Sequence, residues 1–371
     1  MTQGFVPPPY PYDRLDKFKS LAEKFDGGLV DLSIGTPCDA PSPAVVAALS
    51  ASNSERGYPP SIGTEALRNA AQSWMQHKFE VSIPTSQIAA CIGSKEFVAT
   101  TPQYMKLRSP DRDTVLFPAV SYPTYEMGAI LAGCRPVAVP MTPTGGLDFA
   151  KISANDISRA LMIWSNSPNN PTGDLDDLKS IAEWGRKNNV PVFSDECYVE
   201  FTWSRQPESI LQHGVDGVIA LHSLSKRSNL AGLRVGFMAG DPDLVSYLGE
   251  VRRHAGLMVA APNQAAAAAA LADDAHVDEQ RSRYQHRRAV MTPALESFGL
   301  VSDGGPSTFY LWLTDSADPS TNGWAIAERL ARTGLLVAPG DLYGAAGAKH
   351  VRLALSITDE QTELAASRLR Q

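Results

Sequence analysis

Between residues 88 and 239 the chain alternates short apolar runs with stretches of helical periodicity. That alternation constrains the fold more than any other feature. Residues 88–92, 114–117, 136–139, 161–164, 190–193, 218–221 and 235–239 read as strands, and helices are expected from Gly93, from Thr124 and over 175–188. Strands that alternate with helices give an α/β fold, a mostly parallel central sheet flanked by helices. In such sheets ligands bind outside the carboxyl ends of the strands. The residues that follow each apolar run are therefore the ones whose chemistry matters.

The flanks are read less firmly. A Pro/Tyr-rich arm, residues 7–13, is too rich in proline for a helix and reads either as an arm packed across a neighbouring subunit or as a frayed end. Helices are expected over 14–25, 44–51 and, opened by Thr64, through Phe79; a short strand starts at Asp31. Residues 242–288 form a long helical stretch with a small gap, and the alanines at 265–270 suit close helix packing. From Leu300 the pattern changes to short strands (309–313, 335–338, 351–355) and two helices, a smaller α+β lobe. With 371 residues there is room for a large domain, 46–270, and a small one made of 1–45 with its arm and 271–371.

A net charge of -7 gives no basic field for nucleic acid, so anionic ligands have to be met by local arginines. Cys38, Cys91, Cys134 and Cys197 are scattered, as suits reduced thiols, and the seven histidines lack metal-ligand spacing. No signal-peptide pattern opens the chain and no apolar run reaches the ~20 residues of a membrane span, so a cytoplasmic protein without metal is expected.

The chemistry gathers around Ser223-Leu-Ser225-Lys226, just past the 218–221 strand, with Arg234 eight residues on. A solvated loop would account for a lysine, but Ser223, Ser225 and Arg234 are phosphate-type ligands, and Gly232 and Gly236 allow close backbone approach. A lysine among such groups can form a Schiff base with a carbonyl, and pyridoxal 5'-phosphate needs both features. Gly93-Ser94-Lys95 links a strand to a helix start, which is either an anion site or only a tight turn. Asn170, in Asn-Pro-Thr-Gly, is either part of a β-turn or a donor to a cofactor's phenolic oxygen. Asp195, at a strand end, is a helix cap or the partner of a protonated pyridine nitrogen, with Tyr198 three residues on as a second phenolic-oxygen donor. Arg352 lies in an apolar strand and needs an anion there, an acidic side chain or a substrate carboxylate.

The set Asn170-Pro-Thr-Gly, Asp195-x-x-Tyr198, Ser-x-Ser-Lys226, Arg234 and Arg352, in this order over almost the whole chain, resembles the fold-type-I, pyridoxal-phosphate-dependent aminotransferases of class I/II. The resemblance implies that Lys226 is the Schiff-base lysine and proton shuttle, with Asp195 and Tyr198 as further catalytic residues. It implies that Tyr122 stacks on the cofactor ring and that Gly93, Ser94, Lys95, Ser223, Ser225 and Arg234 hold the phosphate. Tyr58 would reach the phosphate in a neighbouring subunit, making a homodimer with shared active sites. Gly35, Asn170 and Arg352 would bind amino-acid and 2-oxo-acid substrates.

Residues 31–37, 57–64, 121–126, 222–226 and 337–344 are similar to actinobacterial N-succinyldiaminopimelate aminotransferases. That implies glutamate as donor in lysine and diaminopimelate biosynthesis, with Lys95 and Arg56 as candidates for the distal carboxylate and no role for Arg227. Aminotransferases for LL-diaminopimelate, aspartate or acetylornithine, and C–S lyases or cyclopropane-carboxylate synthases on the same fold, share these cofactor motifs. Ser223-x-x-Lys226 with Arg332-Thr-Gly also imitates penicillin-recognising acyl enzymes, but their Ser-Asp-Asn is missing and their Ser-x-x-Lys opens a helix instead of closing a strand. No Gly-x-Gly-x-x-Gly supports a dinucleotide enzyme. A regulator that kept the fold is opposed by the short arm and the intact Lys226 and Asp195.

Overall fold

The computed structural model describes residues 4–51 and 57–371. Its strands in chain order are β1 (Val30–Asp31), β2 (Ile88–Cys91), β3 (Thr114–Pro118), β4 (Arg135–Val139), β5 (Ala160–Asn166), β6 (Val192–Asp195), β7 (Val218–Ser223), β8 (Gly236–Gly240), β9 (Leu300–Ser302), β10 (Tyr310–Asp315), β11 (Leu335–Leu336), β12 (Ala338–Pro339) and β13 (Val351–Ala354). The central sheet has seven strands in the order β2-β8-β7-β6-β5-β3-β4. All run parallel except β8, which is antiparallel to both of its neighbours. Both faces are covered. Along β7, Val218 and Ala220 enter one apolar core while Ile219 and Leu221 enter the other, as the two-residue period of a strand requires.

Element ends differ from the sequence reading where capping decides them. Asn189 takes a left-handed conformation after the helix Leu178–Asn188, and the Val190 N–H bonds back to Gly185. Strand β6 therefore starts at Val192 and carries Asp195 as its own last residue. The helix expected from 175 begins at Leu178 because Asp177 caps it through the Ser180 N–H. The expected helix 14–25 is a 3₁₀ turn, Pro11–Leu15, followed by a short α-helix, Asp16–Ala22. The segment expected as one strand over 335–338 divides between two sheets: β11 pairs with β1, and β12 with β13. Ser223 both closes β7 and caps the short helix Leu224–Arg227, so the helix-opening objection to an acyl-enzyme reading does not hold by itself.

The second sheet, β12-β13-β10-β9, is antiparallel throughout. Residues 32–34 run beside its strand β13: Ala354 N–H donates to the Leu32 carbonyl, and Ser356 Oγ to that of Ile34. This edge delivers Gly35 and Arg352 toward the carboxyl ends of the central strands. Among the described residues no helix is long and apolar enough to cross a membrane.

Candidate active site

Asn166, Asp195 and Ser223 end the adjacent parallel strands β5, β6 and β7 and so share one edge of the sheet. Because β8 runs the other way, its start at Gly236 lies on that same edge, level with Ser223 and Cys91. Arg234, two residues earlier, arrives there too. The result is a cavity of about 610 Å³ lined by Ser94, Lys95, Tyr122, Asn170, Asp195, Tyr198, Ser223, Ser225, Lys226 and Arg234, with Gly35 and Arg352 from the other sheet's edge. Gly93 sits beneath this wall. A Cβ there would lie 2.4 Å from an Arg234 guanidinium nitrogen, and its φ of +70° favours glycine. Two expected residues are not gathered. Tyr58 is 94% exposed and outside the cavity of its own chain, and Arg56 lies outside the described residues.

Lys226 rides on the short helix Leu224–Arg227, which Ser223 caps by accepting the Ser225 N–H at 3.2 Å. Its Nζ donates to the Gly35 carbonyl. Burial, then the charges of Arg352 and Arg234, push its pKa down to about 8. Below pH 8 that depression costs the cofactor-free protein stability, and the cost fades between about 8 and the ordinary 10.5. Amine-labelling of the cofactor-free protein, read by peptide mass spectrometry across pH, is expected to be half-maximal at Lys226 at about 8, against about 10.4 for solvated lysines. A Lys226 midpoint matching the solvated lysines would contradict the buried placement.

Asp195 accepts from the Tyr125 hydroxyl at 2.9 Å and from the Cys197 N–H at 3.2 Å. Both donors are neutral, and no cation pairs with it among the described residues. Burial accordingly pushes its carboxyl up. A buried carboxylate of this kind is half of an ion pair, which a cationic ring nitrogen in the cavity would complete. Tyr125 is itself held by stacking on Trp164 at 5.3 Å, and it meets Tyr122 edge-on at 6.0 Å.

Arg352 is buried, and among the described residues no acidic side chain lies beside it as a partner. It donates to Asn170 Oδ1 at 2.9 Å and to the Ser33 carbonyl at 2.6 Å, lies over the rings of Tyr310 (4.2 Å) and Tyr343 (4.8 Å), and leaves its Nε unpartnered. With Oδ1 of Asn170 committed to Arg352, the amide Nδ2 is the free donor of that side chain.

Sequence reasoning missed the tyrosines that finish the cavity. Tyr310 shares a hydroxyl hydrogen bond of 3.0 Å with Tyr198, and a Cβ on Gly35 would lie 2.0 Å from its oxygen. Glycine at position 35 is therefore a packing requirement. The Pro/Tyr arm folds over its own chain's cavity: Tyr12 bonds Tyr343 at 2.6 Å, Arg14 pairs with Asp341 at 3.2 Å, and Lys95 Nζ donates to Tyr10 at 3.3 Å. The aromatic density of residues 7–13 was the available signal.

The family description "Aminotransferase class I and II" matches residues 28–369. The 4-dedimethylamino-4-oxo-anhydrotetracycline transaminase OxyQ of Streptomyces rimosus is 41% identical over 370 residues, 98% of this chain and 99% of its own. The LL-diaminopimelate aminotransferase of Aquifex aeolicus is 33% identical, with 98% and 97% covered. A solved structure, described as a probable N-succinyldiaminopimelate aminotransferase from Thermus thermophilus, superposes with a TM-score of 0.86 at 28% identity over 97% of this chain and 99% of that one.

Proposed function

The chain belongs to the class I and II aminotransferases, which are pyridoxal-phosphate-dependent, and on that footing we propose that it moves an amino group between glutamate and a 2-oxo acid bearing a second, distal carboxylate. The best candidate is the N-succinyl-LL-2,6-diaminopimelate:2-oxoglutarate pair of lysine and diaminopimelate biosynthesis. One observation carries the substrate class. Among the described residues the cavity is lined by Lys95, Lys226, Arg234 and Arg352 against the single carboxylate Asp195. Lys226, Arg234 and Asp195 are accounted for by the cofactor, and Arg352 by an α-carboxylate. Lys95, which the resemblance also sets at the phosphate, bonds Tyr10 at the arm instead and is assigned in this reading to a second anionic group.

The residues fit the cofactor. Asp195 is the unpaired carboxylate that a protonated ring nitrogen needs, and Gly93 clears space for Arg234 at the start of a helix, where a phosphate is stabilised. Ser94, Ser223 and Ser225 would complete that cradle, Tyr122 would cover the ring, and Tyr198 and Asn170 Nδ2 would donate to the phenolic oxygen. When bound, the cofactor supplies an electron-withdrawing ring that accepts the electron pair left when the substrate Cα–H bond breaks. Lys226 is its covalent attachment point. As a free amine, Lys226 would take the substrate Cα proton, and a pKa of about 8 would let it work as a base near neutral pH. Arg352 fixes the α-carboxylate and so the direction of the Cα–H bond.

The same reading takes the protein as a cytoplasmic homodimer in which the exposed Tyr58 reaches the neighbouring subunit's phosphate. It divides each chain into a large domain, 46–270, and a small one, 1–45 with 271–371. LL-diaminopimelate itself is the second reading, favoured by the 33% identity to that aminotransferase over 98% of the chain. OxyQ, at 41%, is named for a tetracycline intermediate, so overall identity does not choose the substrate.

A panel of kcat/KM values decides, with N-succinyl-LL-diaminopimelate, LL-diaminopimelate and aspartate as donors to 2-oxoglutarate. The proposal expects the succinylated compound to lead by tenfold or more, about 1.4 kcal/mol of transition-state binding. A lead for LL-diaminopimelate moves the chain to the second reading, and a lead for aspartate removes both. Arg352→Ala is expected to raise KM about 10²-fold for donor and acceptor alike, since each presents an α-carboxylate to one buried guanidinium. A rise confined to one of them would contradict the shared site.

A further inference from the structure

Arg227, beside Lys226, does not line the active-site cavity. It is nevertheless only 4% exposed. Its Nε donates to Glu200 at 3.2 Å, its Nη1 to the Ala270 carbonyl at 2.6 Å and to Ser228 Oγ at 3.2 Å, and the guanidinium lies 5.5 Å from the Trp74 ring centre. Glu200 lies in the turn Val199–Phe201, directly after Tyr198. It is held in turn by Trp74 Nε1 at 3.1 Å and by Lys78 at 2.6 Å, both from the helix Glu65–Phe79. Burial alone would raise the Glu200 carboxyl, but Arg227 and Lys78 hold it below its ordinary value, so the pair is ionic at neutral pH.

Given that Lys226 is the reacting amine, we infer that Arg227 and Glu200 are positioning residues that aim Lys226 into the cavity. Neighbouring residues on a helix point about 100° apart. The helix that carries them is one turn long, Leu224–Arg227, and too short to fix its own orientation. Anchoring the Arg227 side chain behind it, on Glu200, the Ala270 carbonyl and Asp274 at 3.6 Å, sets the direction of the Lys226 side chain. Because Glu200 itself sits in the turn after Tyr198, one buried pair links the two chain segments that would meet the cofactor. A buried ion pair rarely outperforms apolar packing for stability. What it provides here is a fixed geometry, because the planar guanidinium accepts only a narrow set of partner positions.

Arg227→Met keeps most of the side-chain volume and removes the fork. In the holoenzyme it is expected to lower kcat about 10–100-fold, the cost of a misplacement near 1 Å. KM for glutamate should stay within about threefold, since Arg352 is untouched. In the cofactor-free full chain, the labelling midpoint of Lys226 is expected to rise from about 8 by about half a pH unit or more as the amine leaves its buried place. Glu200→Gln keeps an acceptor for Trp74 and should move both readouts the same way by less, and it is read alone if Arg227→Met does not fold. A kcat within about twofold of wild type with an unmoved Lys226 midpoint overturns the inference, even if the melting temperature falls. If borohydride fails to trap the cofactor on wild-type Lys226, the reading of the site fails; if it traps there and the Arg227 and Glu200 variants behave as wild type, only the positioning role fails.

Discussion

Lys226→Ala is expected to lower kcat by about 10⁴-fold or more, the upper range for a lost acid–base group, while KM for glutamate changes far less. The asymmetry follows from the cavity. Arg352, which would hold the substrate's α-carboxylate, keeps its contacts to Asn170, Ser33, Tyr310 and Tyr343 in this variant. The proton transfer would lose the base proposed for it. Lys95, the other lysine on the cavity wall, is bound to Tyr10 at the arm and cannot take over. A small primary amine added to the assay should recover part of the rate, because it restores a mobile base without a tether. Coupled assay of 2-oxoglutarate formation reads both effects. A kcat within tenfold of wild type would remove Lys226 from the reaction.

Asp195→Asn is expected to act with opposite signs on activity and on the cofactor-free fold. Asparagine fills the same space and still accepts from Tyr125 or Cys197, so no cavity opens. Activity should nevertheless fall about 10²–10³-fold, the size of one lost preorganised charge partner. Tyr198→Phe should cost less, since Asn170 Nδ2 would still be there for the phenolic oxygen and Asp195 for the ring nitrogen. Stability moves the other way. Burial raises the native carboxyl above its ordinary 3.8. As pH climbs past 3.8 the unfolded chain ionises this group while the native protein resists, so the wild-type, cofactor-free fold loses stability up to the raised native pKa and no further. The amide has no such loss. Melting of the two cofactor-free proteins should coincide near pH 4 and then diverge in favour of Asp195→Asn as pH rises. A less stable variant at neutral pH, or equal losses of activity for Asp195→Asn and Tyr198→Phe, would contradict the role given to Asp195.

The central sheet was legible because strand periodicity and its interruption by helices are local properties. Parallel strands then bring their ends together without further information. Asn170, Asp195, Ser223 and Lys226 could be placed in one cavity from sequence for that reason. Arg234 was placed there by its chemical type. Its physical route is the reversal of β8, a pairing decision that nothing local announces. The missed groups share one trait, which is that long-range contacts determine them. Tyr12 meets Tyr343, Gly35 yields to Tyr310, and Arg227 finds Glu200. Gly35 was legible as a residue and not as a reason, since it is the Tyr310 hydroxyl and ring edge against it that exclude a Cβ. The division of 335–338 between two sheets is of the same kind, with partners at Val30 and Arg352 deciding where each half pairs. Arg227 read as an incidental neighbour of Lys226 because charge next to charge in sequence says nothing about which one is buried.

The most direct test is to load the protein with pyridoxal phosphate, reduce it with borohydride and map the covalent adduct by peptide mass spectrometry, with and without prior glutamate. The account predicts a yellow protein whose adduct lies on Lys226 alone and disappears when glutamate has first carried the amino group onto the cofactor. An adduct on Lys95, an adduct that glutamate leaves unchanged, or no adduct at all would contradict it.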